Sequence, residues 1–206
     1  LGEAIQEEVD LARAKSYAQD IVDHGRKMAA IIRDFTGMAA RESKNQRVPV
    51  DVTAQLEQAL MIIQTSHDCL GVNVQKHYVT LPPVTALPDQ LRLVFINVLT
   101  NAIQAMGGQG DLWLSTEEQG GVITIKIRDN GPGILKQHLG KVFDPFFTTK
   151  GQGEGSGLGL TVAQRLIKKF GGEIRLESPE GQGTTCIITL PTDKAGVRKE
   201  ESCIPS

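Results

Sequence analysis

Asn97 and Asn101 lie four residues apart in a segment with helical periodicity, so both amides fall on one helix face. Gln104, three residues further on, adds a third amide to the row, and Ile96, Val98, Leu99 and Ala102 surround it with apolar side chains. Amides at the rim of an apolar face need partners. Two readings fit: packing or capping amides, or binding of Mg²⁺ through an amide oxygen, with phosphate oxygens and waters completing the shell. The company of the segments below favours the second.

Asp129 closes the run Val122-Ile-Thr-Ile-Lys-Ile-Arg-Asp129, in which Ile123, Ile125 and Ile127 alternate onto one strand face. Asp129 shares their parity, so its carboxylate points to the core side. That placement is costly unless the group is hydrogen-bonded. An amine donor from a ligand, such as an adenine exocyclic amine, would satisfy it. An aspartate bonded to the following turn would do so equally, because Asp-Asn-Gly is strong turn chemistry. Gly131 and Gly133 allow the close backbone approach that a flat base needs.

The glycine run from Gly153 to Gly159 precedes a helix expected at Leu160. Unpaired N–H groups at a helix start favour phosphate; a flexible linker is the alternative. The run holds neither Gly-Lys-Ser/Thr nor G-x-G-x-x-G after a strand, which sets aside a P-loop and a dinucleotide fingerprint. Just before it, Phe143, Phe146 and Phe147 put three of the six phenylalanines within five residues. That composition suits a lid docking by apolar contact and hinged at glycine, or three core rings under a loop. Lys150 is placed either to reach a phosphate or to sit in solvent.

The elements that position these groups follow from patterning. Residues 2–42 hold no proline, and Ala14, Ile21, Met28 and Phe35, with Tyr17, His24, Ile31 and Met38, form two heptad rows. A lone helix cannot bury such a stripe, so it requires partners. A domain boundary is expected near 46, and a mobile charged tail over 193–206. Between them the expected elements are a strand at 48–52, a helix to 67 capped by Thr53, and a strand at 72–79. A connecting loop at 81–88 leads to a helix from Asp89 to Met106. Strands at 111–117 and 122–129 turn at Gly120-Gly121; a helix at 160–170 and strands at 173–178 and 184–190 follow. Hairpins interleaved with helices give an α+β sandwich with a mixed sheet covered on one face.

With 206 residues, 40% of them hydrophobic and only 4% aromatic, the core must be built from Val, Ile and Leu. A net charge of −2 gives no electrostatic push toward nucleic acid or a membrane surface. Cys69, Cys186 and Cys203 form neither a disulfide framework nor a metal knuckle. No apolar run approaches a membrane span, so the expected location is cytoplasmic, including as the cytosolic part of a membrane-bound sensor.

Taken together and in order, Asn97–Asn101, Asp129–Gly133, Val142–Lys150 and Gly153–Gly159 resemble the N box, first G box, F box and second G box of the sensor histidine kinase ATP-binding domain, a GHKL-type sandwich. The Asp-Pro-Phe-Phe-Thr-Thr-Lys form is similar to the nitrogen-regulation type. The resemblance covers about residues 47–192, with residues 11–42 more weakly similar to the second helix of a dimerising phosphotransfer bundle. It implies ATP and Mg²⁺ as cofactors, a homodimer through the bundle, and a response-regulator receiver domain as partner. It implies Asn101 as Mg²⁺ ligand and Asn97 and Lys150 as catalytic. Nucleotide contacts are implied for Asn97, Asn101, Asp129, Gly131, Gly133, Phe143, Thr148, Thr149, Lys150, Gly155, Ser156, Gly157, Leu158 and Gly159, with Thr185 backing the adenine. None of His24, His67, His77 and His138 fits the family's phosphoacceptor motif. The expectation is therefore that the first bundle helix is missing and the chain, starting at Leu1, is a piece. The rivals are a serine kinase of the anti-sigma type and a degenerate docking module. The hydrolysing relatives place a glutamate where Asn97 stands, and an amide cannot take a proton from water.

Overall fold

A computed structural model describes residues 46–65, 71–150 and 155–193. The expected long helix before 46 and the tail over 194–206 lie outside the described residues. The chain enters through β1 (Val48–Val50) and turns into α1 (Val52–Gln64). The cap is Asp51 rather than the expected Thr53: its Oδ1 accepts from the Ala54 N–H at 3.0 Å. Val52, Leu56, Ala59, Leu60 and Ile63 return every three or four residues and bury one side of α1.

β2 (Gly71–His77), β3 (Val84–Ala86) and α2 (Pro88–Ala105) follow. β3 corrects the expected loop at 81–88: it pairs antiparallel with β1, Val48 opposite Ala86 and Val50 opposite Val84. Prolines flank it, and Pro49 lies opposite Thr85, as suits a short edge pair. The hairpin of β4 (Gln109–Gln119) and β5 (Val122–Asp129) turns at Gly120 (φ 63°) and Gly121 (φ 83°). Positive φ at both positions gives the turn hand that matches strand twist. A single-turn α3 (Lys136–Leu139), which no periodicity announced, leads into the phenylalanine segment. Then come α4 (Gly159–Lys169), β6 (Glu173–Glu177) and β7 (Thr185–Pro191).

The main sheet runs β2-β4-β5-β7-β6, with β2 and β4 parallel and every other neighbour antiparallel. Its inner face carries Leu112, Leu114, Ile123, Ile125, Ile127 and Ile188, and α1, α2 and α4 pack over it. The outer face is polar: Lys126 pairs with Glu117 at 2.8 Å, and the Arg128 guanidinium lies over the Trp113 ring. α2 is the hinge of the arrangement. Leu91, Val94, Phe95, Val98 and Leu99 are buried in the core, and the amide row Asn97, Asn101 and Gln104 runs along its flank.

Phe95 is fully buried and Val79 is 51% exposed. Phe95→Ala is expected to lower unfolding free energy by about 3–5 kcal/mol, and Val79→Ala by under ~0.5 kcal/mol. Urea denaturation measures both, and similar losses from the two would contradict this packing.

Candidate functional site

A cavity of about 530 Å³ opens between α2, the turn after β5, the segment 142–150 and the start of α4. That size suits a ligand of nucleotide dimensions. At one end stands Asp129, only 3% exposed. Both of its hydrogen bonds from neighbouring backbone go to one oxygen: Oδ1 accepts from the Gly131 N–H at 2.9 Å and the Thr184 N–H at 3.2 Å. Asp129 itself is one of the residues that line the cavity. Burial raises the Asp129 pKa above the ordinary carboxylate value, and the backbone N–H groups of Gly131 and Thr184 oppose that shift. Ile127, Leu176 and Cys186 supply the apolar wall beside it. Burial pushes the Cys186 thiol up to about 12, so it is a neutral wall group.

At the other end Asn97, Asn101 and Gln104 line the cavity from α2. Asn97 Nδ2 is buried without a hydrogen-bond partner, a cost the protein bears inside the cavity wall. Gly159, the first residue of α4, lies 3.6 Å from Asn97 Cγ, measured from where a β-carbon would stand. α4 begins with Leu158 as N-cap and no side-chain cap bond. Its first N–H groups therefore carry the helix-end positive potential uncovered.

The segment 142–150 folds over this end. The Phe143 carbonyl accepts from Thr161 Oγ1 at 3.0 Å, fixing the segment to α4. The Phe146 N–H donates to the Gly157 carbonyl at 3.0 Å, and Phe146 itself adopts φ 65°, uncommon for a bulky residue. A β-carbon on Gly157, at φ 67°, would stand 2.4 Å from the Phe146 carbonyl carbon, so only glycine permits this contact. Lys150 Nζ donates to Gln104 Oε1, tying the end of the segment to the amide row.

The structure brings most of the expected site residues to one cavity. Asn97, Asn101, Asp129, Gly133, Thr148, Thr149 and Lys150 line it, with Gly155, Ser156, Gly157 and Gly159. Four expected residues stand elsewhere. Phe143 packs against the core, and Phe147, its ring tilted at 49° to that of His138 with centroids 5.5 Å apart, lines the cavity instead. Leu158 turns its side chain inward at 5% exposure. Gly131 acts through Asp129: a β-carbon there would lie 2.9 Å from Asp129 Oδ1. Thr185 pairs with Arg128 in the sheet, and Thr184 lines the cavity. Strand alternation held that signal, since Thr184 has the parity of inward-facing Cys186, Ile188 and Leu190.

The raised Asp129 pKa sets a sign. Between the unfolded value near 3.8 and the raised folded value, the native state holds more protons, so this group's contribution to stability falls as pH rises. Asp129→Asn keeps an amide oxygen for the two N–H donors. It is expected to raise the melting temperature at pH 7, with the gain shrinking toward pH 4, read by calorimetry of ligand-free protein. A gain that grew on acidification would reverse the assignment.

Residues 86–194 match the family described as histidine kinase-, DNA gyrase B-, and HSP90-like ATPase. The sensor histidine kinase ZraS of Escherichia coli is 36% identical over 147 residues, covering 70% of this chain and 31% of that protein. Sporulation kinase E of Bacillus subtilis is 33% identical over 181 residues, 85% of this chain and 24% of that one. The chain thus spans less than a third of the length of these relatives. The solved structure of the mycobacterial sensor histidine kinase MprB superposes with a TM-score of 0.61 at 27% identity, over 70% of this chain and 97% of that one. The fold, the cavity and the matched span agree: this chain belongs to the family of histidine kinase-, DNA gyrase B- and HSP90-like ATPases.

Proposed function

We propose that this chain is the ATP-binding catalytic part of a sensor histidine kinase. It moves the γ-phosphoryl group of ATP to a histidine on a bundle helix, for relay to an aspartate of a response-regulator receiver domain. The observation that carries the reading is a single cavity whose two ends differ in chemistry. One end has a buried acceptor carboxylate, and the other has an uncapped helix start beside an amide without a partner.

The residues present fit a magnesium nucleotide. Asp129 takes the exocyclic amine of adenine, and Gly133, which lacks the β-carbon that would strike the Pro179 carbonyl, lets the β6–β7 link close the wall around the ring. The N–H groups at the start of α4, with Gly155, Ser156 and Gly157, hold phosphate oxygens. Asn101 offers its amide oxygen to Mg²⁺, and Asn97 orients the polyphosphate. Mg²⁺, when bound, neutralises charge on the transferring group. Lys150 leaves Gln104 to meet a phosphate oxygen, and Thr148 and Thr149 close the segment behind it. In the intact protein, residues 1–46 contribute to a dimerising bundle, 47–192 form the catalytic domain, and the work is done on the cytoplasmic side.

The test supplies the chain with labelled ATP, Mg²⁺ and a separate helical bundle fragment carrying an acceptor histidine. Acid-labile, alkali-stable label is expected on the fragment. Asn101→Ala is expected to cut transfer by about 10²-fold or more, and Asp129→Ala to abolish ATP-analogue binding in calorimetry. Analogue binding indifferent to Asp129 would overturn the reading.

A further inference from the structure

Ser178, at the end of β6, is 7% exposed and touches polar atoms on three sides. The Ile134 N–H donates to Ser178 Oγ at 2.7 Å. The same oxygen lies 3.1 Å from the Gly183 carbonyl oxygen and 2.9 Å from Thr184 Oγ1. A hydroxyl has one proton to give and two lone pairs to share. The Gly183 carbonyl can only accept, so the Ser178 proton goes there. Turned toward Thr184 instead, it would leave two acceptors facing each other across 3.1 Å. One Ser178 lone pair is taken by Ile134, and the other receives the Thr184 proton. Every valence of Ser178 is then used.

The consequence falls on the cavity. Thr184 lines its base end, and its backbone is locked to Asp129 in both directions: the Asp129 N–H donates to the Thr184 carbonyl at 2.9 Å, and the Thr184 N–H to Asp129 Oδ1 at 3.2 Å. With its proton held by Ser178, the Thr184 hydroxyl has only lone pairs to offer. Asp129 as a carboxylate also only accepts.

We propose that Ser178 is a positioning residue for base specificity: by holding the Thr184 proton it makes the base end of the cavity an acceptor-only wall. Such a wall takes an exocyclic amine and opposes a carbonyl at the same ring position. This rests on the nucleotide-site reading above and adds the means by which the base is chosen.

Adenine and hypoxanthine bases differ at that ring position by amine against carbonyl, so ADP and IDP are the probes. Calorimetry on the full chain gives both affinities without hydrolysis. Wild type is expected to prefer ADP. In Ser178→Ala the Thr184 hydroxyl is free to donate, and the ADP-over-IDP preference is expected to fall about tenfold, the worth of one hydrogen bond. Loss of both affinities by one common factor would overturn the proposal, because a merely structural serine would weaken both alike. Where Ser178→Ala shows no cooperative melt, Thr184→Val decides: a reduced preference supports the proposal, and an unchanged one overturns it. Failure of wild type to bind either nucleotide would instead remove the nucleotide-site reading itself.

Discussion

Burying a carboxylate is the constraint around which this domain is built. Asp129 sits on the core face of β5, where its charge is expensive without donors. Two backbone N–H groups meet it, and each dictates a turn. Gly131 supplies one from the turn directly after the strand. Thr184 supplies the other from the start of β7, so the link between β6 and β7 must press against the end of β5. Gly183 shows how tightly: at φ 80°, any β-carbon on it would stand 2.0 Å from the Asp129 carbonyl oxygen. Gly133 is held likewise, 2.7 Å by the same measure from the Pro179 carbonyl oxygen. The Asp129 end of the cavity takes its shape from satisfying one charge.

The other end depends on α2 serving two purposes. Its apolar stripe fills the core while the residues between, Asn97, Asn101 and Gln104, line the cavity. Rotation of α2 would cost core packing, so the amide row is held by the hydrophobic effect rather than by its own polar contacts. That explains how Asn97 Nδ2 can stay buried and unpartnered. The segment over this end is held differently: by the backbone bond from the Phe146 N–H to the Gly157 carbonyl, by the Thr161 hydroxyl donating to the Phe143 carbonyl, and by the Lys150–Gln104 contact, among others. Val142 is buried and Phe143 packs against the core, so the apolar end of the segment is anchored while Phe146 carries an uncommon positive φ.

What could be read from sequence follows where periodicity reaches. The parity of Ile123, Ile125, Ile127 and Asp129 put the carboxylate on the inner face, and there it lies. The hairpin at Gly120-Gly121, the span of α2 to within a residue or two and the mixed sheet were legible for the same reason. β3 was not, because three residues hold no period and become a strand only by pairing with β1, distant in sequence. α3, a single turn, is equally silent. Between Phe143 and Phe147 the chain is irregular, so no rule says which ring faces the cavity. Thr184 was within reach, since the alternation that placed Asp129 also places Thr184 inward and Thr185 outward.

The charges lining the cavity decide what kind of reaction it can serve. Among the described residues, the side chains on its wall that can exchange a proton are Asp129, Cys186 and Lys150. Asp129 is engaged at the far end by Gly131 and Thr184. Cys186 is kept neutral by burial. Lys150 is a cation held by an amide oxygen. None of these stands ready to take a proton from water at the amide-lined end, where hydrolysis would need a base. A site of this composition can position phosphate oxygens and stabilise their charge, which is most of what phosphoryl transfer asks of a protein. This is the composition that the proposed transfer to a histidine supplied by another segment asks for. An attacking group that needs no deprotonation fits such a site best, and a neutral imidazole nitrogen is one.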